Sequence, residues 1–340
     1  MSFRQEAVLL VRMFVRTRLA IIGMLAIVAV AVSACAESSA EPPTAASPVT
    51  TNSENPPATV TTTVPPARER LDLSYSSQSP SQQLDLHLPA TGTGPFPVVV
   101  WIHGGGWERG DRRLAPQGPQ QAVIDAGYAV ASVDYRLSHE AVFPAQIQDV
   151  KGAVRYLRAN ATTLGLDATR IGVWGDSAGG HLAALLGTAG DIAAFDDPAL
   201  GNIGISSRVQ AVVDWYGPAS FTTFDSQLTQ DHCTKRIAAK ESVESRLIGD
   251  AVAARPDLAR AASPTTYVSA DDPPFLIEHG RDDCVVPWQQ SDELAKALTT
   301  ATGASNSTLV VFDHAQHGGS DFVDAANMAR VVAFFDTYLR

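Results

Sequence analysis

Two short stretches, residues 71–75 and 84–88, alternate apolar and polar side chains. That is the period of a strand with one buried face, and the two together predict an opening antiparallel pair. Residues 97–102 and 128–134 are instead nearly continuous apolar runs, as in strands covered on both faces. Between those runs, residues 117–126 read as a helix. Further on, Ile147, Val150, Val154 and Leu157 fall at helical spacing within residues 146–159. Strands are predicted again at 171–174, 211–215, 275–278 and 308–312, and helices at 178–186, 290–299 and 322–339. Strand and helix alternating in this way predict an α/β fold: a mainly parallel central sheet flanked by helices. Residues 219–262 break the rhythm and read as a small lid or cap insertion.

The first 70 residues follow other rules. Residues 1–18 carry Arg4, Arg12, Arg16 and Arg18 against the single acid Glu6, and an uncharged apolar run follows at 19–34. Val32-Ser33-Ala34-Cys35 closes it with small residues. A basic segment, an apolar segment and a small-residue cut site describe a signal peptide over residues 1–34. The cysteine at the cut resembles a bacterial lipobox, whose thiol is acylated, so Cys35 is the expected lipidation site. A single membrane anchor is the other reading, and the run is short for one. Residues 36–70 hold seven prolines and eleven Ser or Thr, with no Phe, Trp or Tyr. Such a segment cannot bury enough surface to order itself, and 35–70 reads as a tether. The expected location is therefore outside the cell, lipid-anchored on the outer face of a bacterial membrane or else secreted.

Composition narrows the classes. Of 340 residues, 45% are hydrophobic and 18% charged, which is enough apolar material for a large core over residues 71–340. Three cysteines are too few for a disulfide scaffold or a zinc-finger array. A formal charge of −11 opposes nucleic-acid binding, which requires a basic surface.

The chemistry concentrates at predicted strand ends. Gly175-Asp176-Ser177-Ala178-Gly179-Gly180 lies between a strand and a helix, the context of a G-x-S-x-G nucleophile elbow. The turn must be tight for the Ser177 oxygen to project over the sheet, and glycines on either side let backbone approach closely. His103-Gly104-Gly105-Gly106-Trp107 directly follows another strand. Its glycines free amide groups to face one point, as an oxyanion requires. Gly105, Gly106 and Ala178 are the expected donors, and His103 is expected to brace the loop. A base and an orienting acid should follow in the order Ser, Asp or Glu, His. The loop after residues 275–278 offers Asp282 and Asp283; the loop after 308–312 offers His314 and His317. Residue type alone leaves both choices open. Trp107 and Tyr216 are candidates for the pocket wall, with core packing as the alternative for each.

Together these segments resemble the α/β-hydrolase superfamily. The nearest likeness is to hormone-sensitive-lipase-like esterases, and within them to the bacterial group with bifunctional feruloyl and acetyl-xylan esterases. The likeness covers about residues 71–340. It rests on HGGGW at 103–107, VDYRLS at 133–138, FPAQIQDVKGAVRYLRAN at 143–160, GDSAGG at 175–180, DDPPFLIEHG at 271–280 and QHGG at 316–319. It implies the α/β-hydrolase fold and selects Asp283, from HG-x-x-D-x-x-V-P, and His317, directly before paired glycines. Ser177, His317 and Asp283 would then act through an acyl-enzyme intermediate on a small ester or an acylated polysaccharide. No cofactor, metal or obligate protein partner is implied. The resemblance also supports a disulfide between Cys233 and Cys284, an even pair once Cys35 carries lipid; two buried free thiols are the alternative. Two rival functions share the scaffold: an arylformamidase or other amidase, and a non-catalytic binding protein.

Overall fold

A computed structural model describes residues 68–303 and 306–340. The signal peptide expected at 1–34, Cys35 and nearly all of the expected tether lie outside the described residues. The strands are β1 (Glu69–Ser74), β2 (Gln83–His87), β3 (Phe96–Ile102), β4 (Ala129–Val133), β5 (Leu166–Asp176), β6 (Ala211–Trp215), β7 (Phe275–Gly280) and β8 (Ser307–Phe312). The α-helices are α1 (Gln120–Asp125), α2 (Ala145–Ala159), α3 (Ala161–Leu164), α4 (Ala178–Ala189), α5 (Phe224–Gln230), α6 (Val243–Ile248), α7 (Pro256–Ala261), α8 (Gln289–Thr302), α9 (Ser320–Val323) and α10 (Ala325–Leu339).

One eight-stranded sheet runs in the order β1-β2-β4-β3-β5-β6-β7-β8. β2 pairs antiparallel with β1 and with β4, and every later pairing is parallel. The apolar runs explain the centre of the sheet. Along β3, Val98, Val100 and Ile102 enter the core on one face, and Val99 and Trp101 the core on the other. A strand so placed has no solvated face and needs no alternation. β1, at the edge, is largely exposed and keeps the polar spacing.

Several boundaries differ from the sequence expectations, and three have a clear local cause. β1 begins at Glu69, inside the stretch read as tether, because Leu88 N–H donates to Arg68 O at 2.7 Å and the Arg70 guanidinium to Thr163 O at 2.8 Å. The helix read at 117–126 starts only at Gln120, directly after Pro119. The helix read at 322–339 is broken at Asp324, whose carboxylate caps α10 by accepting from Asn327 N–H at 2.7 Å.

The segment between β6 and β7 forms the cap with α5, α6 and α7. Cys233 and Cys284 are joined by a disulfide, with Cα atoms 5.5 Å apart, which fastens the cap to the loop after β7. A second tie lies beside it. Arg236 donates to the buried Glu244 carboxylate at 2.6 Å and to Val285 O, and its guanidinium lies 5.0 Å over Phe224. A third runs from α8: Gln290 Oε1 accepts from Ala219 N–H at 2.8 Å and Ser220 N–H at 2.7 Å.

Two outcomes test this packing. The disulfide closes a 51-residue separation. Loop entropy puts its contribution near 4 kcal/mol, so Cys284→Ser or reduction should lower Tm by about 10 °C in differential scanning fluorimetry. An unchanged Tm contradicts the tie. The second concerns Asp214 on β6, fully buried, with Oδ1 accepting from Gly217 N–H at 2.9 Å and Oδ2 without a partner among the described residues. Burial pushes this carboxyl up to about 6. A raised acid favours the folded state when protonated, so stability is lost as pH rises from the unfolded value toward about 6. Asp214→Asn should therefore stabilise the protein by up to about 3 kcal/mol at pH 8, and by less at pH 5. A gain independent of pH would contradict the assignment.

Candidate active site

All the segments singled out for chemistry leave the sheet at one edge. The register sets Ile102 beside Gly175, Asp176 beside Trp215, Trp215 beside Glu278 and Gly280 beside Phe312. The loops after β3, β5, β7 and β8 therefore meet, at the carboxyl ends where open α/β sheets build their sites.

Ser177 sits between β5 and α4 at φ 53° and ψ −116°, a backbone conformation that L residues rarely hold. Its N–H donates to Trp215 O at 2.8 Å. The turn is possible because Gly179 has no Cβ: one there would stand 2.0 Å from Ile102 O. The loop after β3 is held as tightly. Gly105 is at φ 105°, and a Cβ on it would lie 2.2 Å from Arg109 O. Gly104 N–H donates to Asp176 Oδ1 at 2.8 Å. The buried Arg112 closes the far end of the loop by reaching Asp72, Asp85 and Asp134. His103 stacks on Tyr135 at 4.5 Å, with Nδ1 2.8 Å from Gly104 O, which is a bracing arrangement.

Ser177, His317 and Asp283 come together in a line. His317 Nε2 lies 2.9 Å from Ser177 Oγ, and His317 Nδ1 lies 2.7 Å from Asp283 Oδ2. The tautomer follows from the partners, since an ionised carboxylate can only accept. Nδ1 therefore carries the proton, and Nε2 is open to the serine hydroxyl. Asp283 is wholly buried, and its Oδ1 accepts from Val285 N–H at 2.7 Å and Val286 N–H at 2.9 Å. Burial raises this carboxyl, but hydrogen bonds and charge from His279 and His317 outweigh it and hold it well below the usual range. The competing pair is left in solvent. His314 and Asp282 face each other at 3.6 Å, with side chains 93% and 54% exposed.

A cavity of about 590 Å³ opens over Ser177. Gly105, Gly106 and Ala178 border it, as do Val243 and Glu244 from the cap. Tyr216 is on its wall, with its ring 4.8 Å from that of His317. Trp107 also borders it, but its indole is 1% exposed, packed edge-on against Phe221, with Nε1–H donating to His181 Nδ1 at 3.2 Å. That ring braces the glycine loop and leaves little surface for a ligand. The arrangement offers a hydroxyl beside a proton acceptor and a carboxylate that orients the acceptor, with Gly105, Gly106 and Ala178 bordering the same cavity.

Two buried histidines escaped the sequence reading. His181, on α4, lies fully buried with Nε2 2.7 Å from Ala262 O, and burial lowers it to about 4. It stays neutral, linking the glycine loop to the end of the cap. His279, at the end of β7, lies 3.2 Å from Asp283 Oδ2. His279 stood in a recognised motif, but nothing in its spacing marked it as a contact of the acid.

Known proteins share this architecture. The chain is 32% identical over 266 residues to esterase LipC of Mycobacterium tuberculosis, an alignment covering 75% of this chain and 62% of LipC. The chain thus spans about three-fifths of that relative's length. A truncated carbohydrate esterase from gut microbiota superposes with a TM-score of 0.72 and 30% identity, covering 79% of this chain and 95% of that one. Thermogutta terrifontis esterase 2, in a form phosphoramylated by tabun, superposes with a TM-score of 0.62 and 25% identity, covering 80% of this chain and 95% of that one. These neighbours are α/β-hydrolase esterases, and the mostly parallel sheet of this chain has the α/β-hydrolase fold. The family model BD-FAE matches residues 84–298, more than half of the sequence, and the chain belongs to the BD-FAE family.

Proposed function

We propose that the protein is a carboxylic-ester hydrolase acting through Ser177, His317 and Asp283. The observation that carries this is the hydrogen-bonded line from Ser177 Oγ through His317 to Asp283, with separations of 2.9 and 2.7 Å. His317 takes the Ser177 proton as the oxygen attacks the ester carbonyl. The amides of Gly105, Gly106 and Ala178 hold the oxyanion, each worth about 3 kcal/mol in such sites. Asp283 keeps the imidazole oriented and stabilises its cationic form. The alcohol leaves with the proton from His317, and water then releases the acyl group by the same steps in reverse. The esterases named among the relatives and neighbours support the class, and the carbohydrate esterase supports an acylated saccharide as one substrate type. A panel of p-nitrophenyl esters, acetylated xylan and methyl ferulate separates acetyl from feruloyl preference.

Export and lipidation at Cys35 belong to the same proposal. The Cys233–Cys284 bond supports an oxidising compartment, where such bonds persist. A diacylglycerol with a further acyl chain would anchor the protein where a single chain would not.

Three outcomes test these assignments. Ser177→Ala should lower kcat/KM more than about thousandfold with the fold intact, leaving a residue of rate from the oxyanion donors. Asp283→Asn should cost far more kcat than Asp282→Asn, and His317→Ala far more than His314→Ala; equal losses within either pair contradict the roles. Cys35→Ala should move the protein from the membrane fraction to the soluble one. A soluble wild-type protein whose N-terminus lies beyond Cys35 defeats the lipid anchor.

A further inference from the structure

We propose that His279 is a positioning residue, a second and non-reacting imidazole that fixes the Asp283 carboxylate for His317. The inference rests on the roles just given to Ser177, His317 and Asp283. Its starting point is that two imidazoles converge on one oxygen. His317 Nδ1 is 2.7 Å from Asp283 Oδ2, and His279 Nε2 is 3.2 Å from the same atom.

The protonation of His279 follows from its other contacts. Nε2 lies 2.8 Å from Val286 O, which has no proton to give. Nε2 therefore carries the hydrogen and shares it between that carbonyl and Asp283. Nδ1 lies 2.7 Å from Ser291 Oγ, which can donate to it. Both ring nitrogens are thus partnered, with the N–H on Val286 O and the Asp283 carboxylate 3.2 Å from the same nitrogen, and no water competes, because both side chains are 0% exposed.

What the ring does is mechanical as well as electrostatic. It stands on the last turn-free residue pair of β7, yet it touches Val286 at the far end of the loop that carries Asp283. Ser291 belongs to α8, so one imidazole references the loop to a strand and to a helix at once. Val285 and Val286 N–H groups fix Oδ1. Without His279, Oδ2 would be held only by the histidine it is meant to orient. The downward displacement of the Asp283 carboxyl despite full burial agrees with a donor of this kind.

Two substitutions separate positioning from packing. His279→Leu keeps most of the volume and removes the donor. His279→Gln can still accept from Ser291 and donate toward Val286 and Asp283. With active sites counted by a fluorophosphonate, His279→Leu should lose about tenfold or more in kcat with KM within about twofold, and His279→Gln should recover most of that loss. The low-field proton NMR signal of His317 Nδ1–H should persist in wild type and His279→Gln and disappear in His279→Leu. Equal kcat for the Leu and Gln variants, or an unchanged signal in His279→Leu, overturns the proposal. If His279→Leu does not fold, nitrogen-15 spectra of the wild-type imidazoles decide: a protonated Nε2 on His279 supports the proposal, and a proton-free Nε2 overturns it. Ser177→Ala assayed alongside keeps the two readings apart. If that variant stays active, the nucleophile assignment falls and this inference with it; if it is dead while His279→Leu is normal, only this inference falls.

Discussion

The site depends on how closely α4 can approach β3. Backbone meets backbone where Gly179 faces Ile102 O, and even a methyl group would stand 2.0 Å from that oxygen. A larger residue would push the start of α4 away from the sheet and relax the turn that holds Ser177 at φ 53°. The same approach brings the elbow under the glycine loop after β3, where Gly104 N–H is fixed to Asp176. Ser177 and the glycine loop are thus placed by one steric condition. The parallel register then delivers Asp283 and His317 to the same edge.

The second requirement is electrostatic. Asp283 is an ionised carboxylate with no exposure to water, a costly arrangement unless every lone pair is engaged. Val285, Val286, His279 and His317 supply the donors. The loop that presents Val285 and Val286 is held from outside by the cap, through Cys233–Cys284 and through Arg236 to Val285 O. The cap therefore does more than cover the cavity: it is part of the frame that keeps a buried charge in place. The bond at Cys284 adjoins the acid itself, so the stability of the cap and the geometry of the site are one problem.

The sheet was legible because strands buried on both faces leave an unmistakable signal. The runs at β3 and β4 stand out as nearly continuous apolar segments, and their two-sided packing is what permits that composition. Ser177 and the glycine loop were legible for steric reasons, since few residue types can occupy those turns. The choice between Asp282 and Asp283, or His314 and His317, was not available from residue type. Neighbours in a polar loop differ only in direction, and the resemblance to known esterases, not spacing, pointed to the buried pair. His181 and His279 were invisible as partners because a buried histidine is defined by what surrounds it. Trp107 shows the same limit: an aromatic beside a glycine loop reads as a pocket wall, yet its indole is spent on His181 and Phe221.

The proposed chemistry requires Ser177 to be an activated nucleophile. It is tested most directly by treating the folded protein with a fluorophosphonate and mapping the labelled peptide by mass spectrometry. One label per chain is expected, on Ser177, lost when the protein is unfolded first and lost in His317→Ala. No label on the native protein, or a label on any other residue, would contradict it.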